Sequence, residues 1–212
     1  MPQNRTKHLA IATVLLLLAG VAGVAWCLHG YPVHHFAVVQ PGVLYRGGQV
    51  DEDSLEELVD RYQVRTVINL RGREDQADWY VEEQDFCRRH ALRLVSIPIG
   101  EPGKARDGLR EFLDIMRDPA SYPVFVHCEA GSCRTGFAVA AYRIVMQGWS
   151  CRAALQEAQD LRFNLEATTQ QEYVRILEEL AKGADWSRPP DSPDSRGAVA
   201  GPESRPASSC EY

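Results

Sequence analysis

The sequence has no excess of basic residues: 23 Lys and Arg stand against 29 Asp and Glu, a net charge of -6. That balance gives no general attraction to nucleic acid or to an anionic lipid surface, so any affinity for phosphate must be built locally. Regular cysteine spacing is absent too. The six cysteines, at 27, 87, 128, 133, 151 and 210, do not read as the disulfide framework of a small secreted scaffold, and the chain is far larger than such scaffolds. Nor does a second pair of ligands stand elsewhere to complete a zinc site around the one cluster, His127, Cys128 and Cys133. No metal and no cofactor is expected. A chain of 212 residues is too short for two ordinary domains with a linker, which leaves one catalytic or binding unit with appendages.

The first appendage is apolar. Arg5, Lys7 and His8, in a short leader of residues 1–8, precede LAIATVLLLLAGVAGVAWCL, residues 9–28, a run without charge that can cross about 30 Å of hydrocarbon as a helix. The run is longer than the apolar region of about 7 to 15 residues in a usual signal peptide. An uncleaved transmembrane anchor is therefore favoured, while small residues at Ala22, Gly23 and Ala25 keep a cleaved signal sequence open. Basic residues before the span place residues 1–8 in the cytoplasm and the following domain outside, in an exoplasmic or periplasmic space. At the other end, residues 184–212 are rich in Pro, Ser, Arg and Gly and read as a disordered tail.

Between them, residues 32–182 alternate strand and helix patterns. HHFAVVQPGVLYRGGQV predicts two short strands in a hairpin broken at Pro41-Gly42 and Gly47-Gly48. DEDSLEELVDRYQ sets Leu55, Leu58, Val59 and Tyr62 on one helical face. VRTVINL (64–70), LRLVSIPI (92–99) and PVFVH (123–127) predict strands. The helix over EDQADWYVEEQDFCRRHA counts Trp79, Val81, Phe86 and Cys87 among its apolar positions, with Cys87 a packed core residue. GEPGKARDG predicts a loop, and helices follow over GLREFLDIMRD, TGFAVAAYRIVMQ, SCRAALQEAQ and TTQQEYVRILEELA. The fold class is α/β, with a central, mostly parallel sheet flanked by helices.

The chemistry concentrates in residues 127–136, HCEAGSCRTG. A strand that runs through a glycine-containing loop into a helix brings backbone N–H groups together around an anion, and the helix N-terminus adds its positive partial charge. Cys128 opens that loop, where the same N–H groups and Arg134 favour its thiolate, the nucleophilic form. Arg134 offers a planar fork for two phosphate oxygens. Gly131 and Gly136 allow close backbone packing, and Thr135 has a hydroxyl that can assist the sulfur as it leaves. His127 is either an orienting group for the loop or a satisfied buried histidine.

The string H-C-x5-R-T-G resembles the signature of the cysteine-dependent protein tyrosine phosphatase superfamily, particularly its bacterial dual-specificity-like members. The likeness extends through PGVLYRGGQV, VRTVINLRGRED, LRLVSIPIGE, DPASYPVFVHC and YRIVMQGWSCRAALQEA, about residues 36 to 180. It implies a metal-independent phosphatase. Cys128 would attack phosphorus, Arg134 would hold the phosphoryl oxygens, and the amides of Glu129, Ala130, Gly131, Ser132, Cys133 and Arg134 would complete the cradle. The family's acid, usually an aspartate after the strand corresponding to LVSIPI, has no direct counterpart here; Glu101 stands near the expected place and Asp107 six residues on. Cys133 also departs from the pattern, as a neutral substitution or as a redox partner of Cys128. The substrate is expected to be a phosphorylated protein or a small phosphomonoester, since Glu, Ala, Gly, Ser and Cys line the loop where lysines would suit a polyanionic head group. Two other readings stay open: a rhodanese-like sulfurtransferase, and a membrane-tethered phosphate-binding module of weak or no catalysis. The sequence does not indicate an oligomeric state.

Overall fold

The computed structural model describes residues 33–183. The expected anchor, residues 9–28, and the tail, residues 184–212, lie outside the described residues. Among the described residues no helix is long and apolar enough to cross a membrane.

Five strands and six helices alternate along the described chain. The strands are β1 (Ala37–Gln40), β2 (Leu44–Gly47), β3 (Thr66–Asn69), β4 (Arg93–Ser96) and β5 (Val124–His127). The helices are α1 (Glu52–Tyr62), α2 (Asp78–Arg89), α3 (Ala105–Arg117), α4 (Cys133–Gln147), α5 (Cys151–Asp160) and α6 (Thr168–Ala181). The sheet order is β1-β2-β5-β3-β4. β1 pairs antiparallel with β2, as the Pro41-Gly42 turn predicts, and the other pairs are parallel. The sheet is mixed, mostly parallel, and β5 lies at its centre.

Side-chain alternation along each strand sends residues to two separate cores. Leu44, Ile68, Val124 and Val126 join the larger core, with Leu109 and Phe112 of α3 and Phe137 of α4. Tyr45, Val67 and Phe125 join a smaller one, with Leu55 and Leu58 of α1 and Phe86 and Cys87 of α2. Strands covered on both faces read as continuous apolar runs, which is why PVFVH is legible as a buried strand.

Helix ends follow local chemistry. Asp51 caps α1, accepting from Ser54 N at 2.9 Å, and Ser150 caps α5 through Ala153 N at 3.2 Å. Gly148 ends α4 in the left-handed region, with φ 70°.

Three expectations need correction. On α2 the inward residues are Tyr80, Glu83, Phe86 and Cys87, whereas Val81 is exposed. Phe86 and Cys87 join Val67 of β3 and Phe125 of β5 in the smaller core, through a face rotated from the one the apolar residues suggest. α3 begins at Ala105, so Asp107 stands in a helical first turn and not in a loop. Finally, Cys87, Cys128 and Cys133 are free thiols, but Cys151 is disulfide-bonded, which the irregular spacing did not suggest.

Candidate active site

Cys128 follows the last residue of β5, and α4 begins five residues later at Cys133. Parallel neighbours on both sides hold this strand end: His127 registers with Gly47 of β2 and with Asn69 of β3. Leu70 N donates to His127 O at 2.8 Å, extending the ladder to the mouth of the loop. The Ser132 side chain does not cap α4. The N-terminus of a 15-residue helix is thus presented to the loop without a competing side-chain oxygen.

The loop is braced through its carbonyls. Gln49 N donates to Glu129 O at 2.9 Å, His35 Nδ1 to Ala130 O at 2.6 Å, and Arg46 Nη2 to Gly131 O at 2.5 Å. Holding the carbonyls outward favours amides that face the enclosed space, the geometry of an anion nest. Gly131 is in the left-handed region (φ 76°), and a Cβ there would lie 2.5 Å from Gly48 N. The Gly47-Gly48 turn therefore docks directly on the loop, which no larger residue at 131 would allow.

Arg134 occupies the first turn of α4 and is partly exposed, its Nη2 lying 3.6 Å from Glu129 Oε2. Its stem lies along the β4–α3 loop: a Cβ on Gly100 would lie 3.2 Å from Arg134 Cδ. Glu101 is therefore the immediate chain neighbour of a residue packed on the arginine, and it is exposed. Asp107 is instead committed to α3, where it accepts from Arg110 Nη1 at 2.9 Å.

Thr135 is fully buried, and its hydroxyl donates to Gly47 O at 3.3 Å. The structure gives it a part in fastening the turn to the loop; it shows no bond to the sulfur. Cys133 packs at the edge of the larger core. Burial first, and the adjacent Cys128 second, push its thiol up to about 11, against an opposing pull from Arg134. Such a thiol is protonated at neutral pH and is a poor nucleophile. Tyr173 of α6, stacked on Phe137 with ring centroids 4.3 Å apart, is pushed up to about 12 by burial first and by Cys133 next.

His127 is buried on the α2 face of the sheet, its Nε2 2.7 Å from Glu83 Oε1, and both side chains are fully buried. The two meet at ion-pair distance without the alignment of a directed hydrogen bond. Glu83 Oε2 accepts from Asn69 Nδ2 at 3.0 Å, and Asn69 Oδ1 accepts from Arg71 N at 2.8 Å. Arg71 lies over the Trp79 ring, 3.5 Å from its centroid, and donates to Gln49 Oε1 at 3.2 Å. A continuous polar chain thus runs behind the loop from α2 to the β2 turn. His127 Nδ1 also lies 3.4 Å from Cys128 O, so the imidazole is both paired with a buried carboxylate and within reach of the loop backbone, and both readings of His127 stand.

Sequence reasoning missed Glu83 and Arg46. Each had a signal: Glu83 stands one helical turn from Tyr80 and Cys87 on one face, and Arg46 falls two residues after Leu44 on an inward strand face. Among the described residues no group of three or more His, Cys, Asp or Glu side chains is placed to hold a metal ion. A cavity of about 730 Å³ lined by Phe163, Glu166, Val174 and Arg175 includes none of the loop residues.

A cysteine at a strand end, an arginine in the first turn of the next helix and a braced amide loop between them define the class of cysteine-based phosphatases. Residues 38–176 match the family profile described as "DSP-PTPase phosphatase fused to NAD+ Kinase". The chain belongs to this DSP-PTPase family. It is 30% identical over 198 residues to the dual specificity protein phosphatase TpbA of Pseudomonas aeruginosa, covering 82% of each chain. It is 34% identical over 134 residues to the inositol diphosphatase DSP1 of rice, covering 60% of this chain and 57% of that one. The chain thus spans little more than half of the rice protein. The crystal structure of P. aeruginosa TpbA superposes with a TM-score of 0.55 at 28% identity, covering 72% of this chain and 86% of that one.

Proposed function

We propose that the chain hydrolyses phosphate monoesters, foremost phosphotyrosine and phosphoserine or phosphothreonine on proteins, through a phosphocysteine at Cys128. The observation that carries this reading is the position of Cys128 at the end of β5, with Arg134 in the first turn of α4 across a loop braced at its carbonyls. In the first step the Cys128 thiolate attacks phosphorus, the S–P bond forms, and the bond to the leaving oxygen breaks as Glu101 gives that oxygen its proton. In the second, water attacks phosphorus and passes a proton to the Glu101 carboxylate. The electron pair of the S–P bond then returns to sulfur. Arg134 holds two phosphoryl oxygens throughout, and the amides from Glu129 to Arg134 receive the charge that builds on them.

Glu101 is chosen over Asp107 because its neighbour Gly100 lies against Arg134, whereas Asp107 is bound to Arg110. The loop's own charge supports a monoester over a diphosphate: Glu129 stands 3.6 Å from Arg134, and no lysine lies between Cys128 and Arg134. A second phosphate beside Arg134 would meet the Glu129 carboxylate, and the loop's own residues between Cys128 and Arg134 add no cation.

The test is turnover of an aryl phosphate by the full chain, compared with Cys128→Ser, Glu101→Gln and Asp107→Asn. Activity is expected to vanish with Cys128→Ser. It is expected to fall about 10²- to 10⁴-fold with Glu101→Gln, more steeply for a poor leaving group than a good one, and to change little with Asp107→Asn. No turnover above the Cys128→Ser control between pH 5 and 8 would leave only the phosphate-binding module. Comparable turnover of an inositol diphosphate and a phosphotyrosine peptide would refute the substrate assignment. We further propose that residues 9–28 tether the domain on the exoplasmic side; protection from added protease in intact cells after outer-barrier permeabilisation would reverse that orientation.

A further inference from the structure

Arg46 is a charged side chain sealed inside the molecule, with 1% of its surface exposed. Its Nη2 is satisfied by Gly131 O at 2.5 Å, while Nε and Nη1 have no hydrogen-bond partner. An enclosed cation with unmatched donors is unfavourable unless an anion offsets it. The topology supplies one. Arg46 registers with Val126 on the neighbouring parallel strand; its side chain takes the face of Leu44, and Val126 and Cys128 face that same larger core. The guanidinium and the sulfur thus stand on one face of adjacent strands, below the loop.

Other charges do not substitute for this pairing. Glu157 is already held by Arg143 at 2.9 and 2.5 Å. Arg134 and Glu129 lie on the outer, partly exposed side of the loop, and the His127–Glu83 pair lies on the opposite face of the sheet. Cys133 and Tyr173 are held protonated by burial. Burial pulls the guanidinium down to about 10, and the strongest opposing influence is Cys128, ahead of Glu157. At neutral pH Arg46 therefore remains charged.

We propose that Arg46 is a positioning residue for the reaction: a buried counter-cation that holds Cys128 as its thiolate from beneath the loop, while its Nη2 fixes the loop through Gly131. Arg134 then serves the substrate, and Arg46 serves the nucleophile. The proposal rests on Cys128 being that nucleophile.

The experiment is the pH profile of iodoacetamide alkylation of Cys128 in the full chain, with the modified residue identified by mass spectrometry to separate it from Cys133. Parent, Arg46→Gln and Arg46→Lys are compared. Gln retains a donor for Gly131 O but no charge; Lys retains the charge. Loss of the buried counter-charge is expected to move the Gln midpoint up by about 1 pH unit or more. Its kcat should fall about tenfold or more while KM stays within about threefold, and Lys should recover most of both effects. A Gln midpoint that does not move, or a Lys midpoint that moves as far, overturns the proposal even when kcat falls. Full turnover in Cys128→Ser would instead overturn the nucleophile assignment itself.

Discussion

Gly131→Ala probes the contact on which the loop's shape depends. The residue has φ 76°, and an added methyl would lie 2.5 Å from Gly48 N, 2.6 Å from Gly47 C and 2.8 Å from Gly47 O. All three neighbours are backbone, so none can swing aside as a flexible side chain would. Two costs then add: about 1 to 2 kcal/mol for a Cβ in the left-handed region and about 1 to 3 kcal/mol for overpacking against fixed atoms.

Gly148→Ala is the internal comparison. Its φ is 70°, close to that of Gly131, but nothing lies within 4 Å of the added methyl. Only the first cost applies, so the two variants should differ by about 1 to 3 kcal/mol. At about 2 to 4 °C per kcal/mol for a domain of this size, Gly131→Ala is expected to melt about 2 to 12 °C below Gly148→Ala. Calorimetry of both variants reads that difference, and turnover of an aryl phosphate per folded molecule reads the consequence. Displacing Gly131 moves the carbonyl that Arg46 holds, so activity should fall in Gly131→Ala and stay near parent in Gly148→Ala. Equal melting temperatures with full activity in both would refute the docking of the Gly47-Gly48 turn as the determinant of loop shape.

Three further outcomes follow from buried groups. Glu83→Ala removes one partner of a fully buried pair and orphans Asn69 Nδ2, so urea unfolding should show a loss of about 3 to 5 kcal/mol; a loss under about 1 kcal/mol would mean that the pair carries little. Cys133→Ser should leave the rate and reversibility of peroxide inactivation as in the parent, because a thiol pushed up to about 11 is too little ionised to capture an oxidised Cys128; faster irreversible loss in the variant would restore the redox pair. Stability should decline at high pH, since burial pushes Cys87 from 9.0 up to about 12. The unfolded thiol ionises first, so the stabilisation is complete below pH 9, falls above it and is gone past the folded value. Cys87→Ala should flatten that part of an unfolding curve measured against pH.

Much of the fold is legible because neighbouring residues decide it. The hairpin turn at Pro41-Gly42, the Asp51 and Ser150 caps and the Gly148 stop are each written within a few positions. The placement of Cys128 at a strand end and of Arg134 in the next helix is legible for the same reason, since both are written within the ten residues HCEAGSCRTG. Where the reading failed, a more distant partner decides the outcome. Val81 looks apolar but faces solvent, because α2 turns Glu83 inward to meet His127. α3 starts early at Ala105, which buries against the core, and that start places Asp107 beside Arg110.

Arg46 shows why the missing part is hard to see. In LYRGG it looks like a surface charge beside a turn, and its meaning depends on Gly131, 85 residues away in sequence. The parallel pairing of β2 with β5 creates that meeting, and it places the arginine and Cys128 on one face. A surface arginine forms at most a weak ion pair; the same side chain, sealed inside the molecule, is held by Gly131 O. Motif spacing picks out the residues proposed to meet the phosphate because they lie on one loop. The residues that hold that loop come from strands on either side, and only the sheet order brings them together.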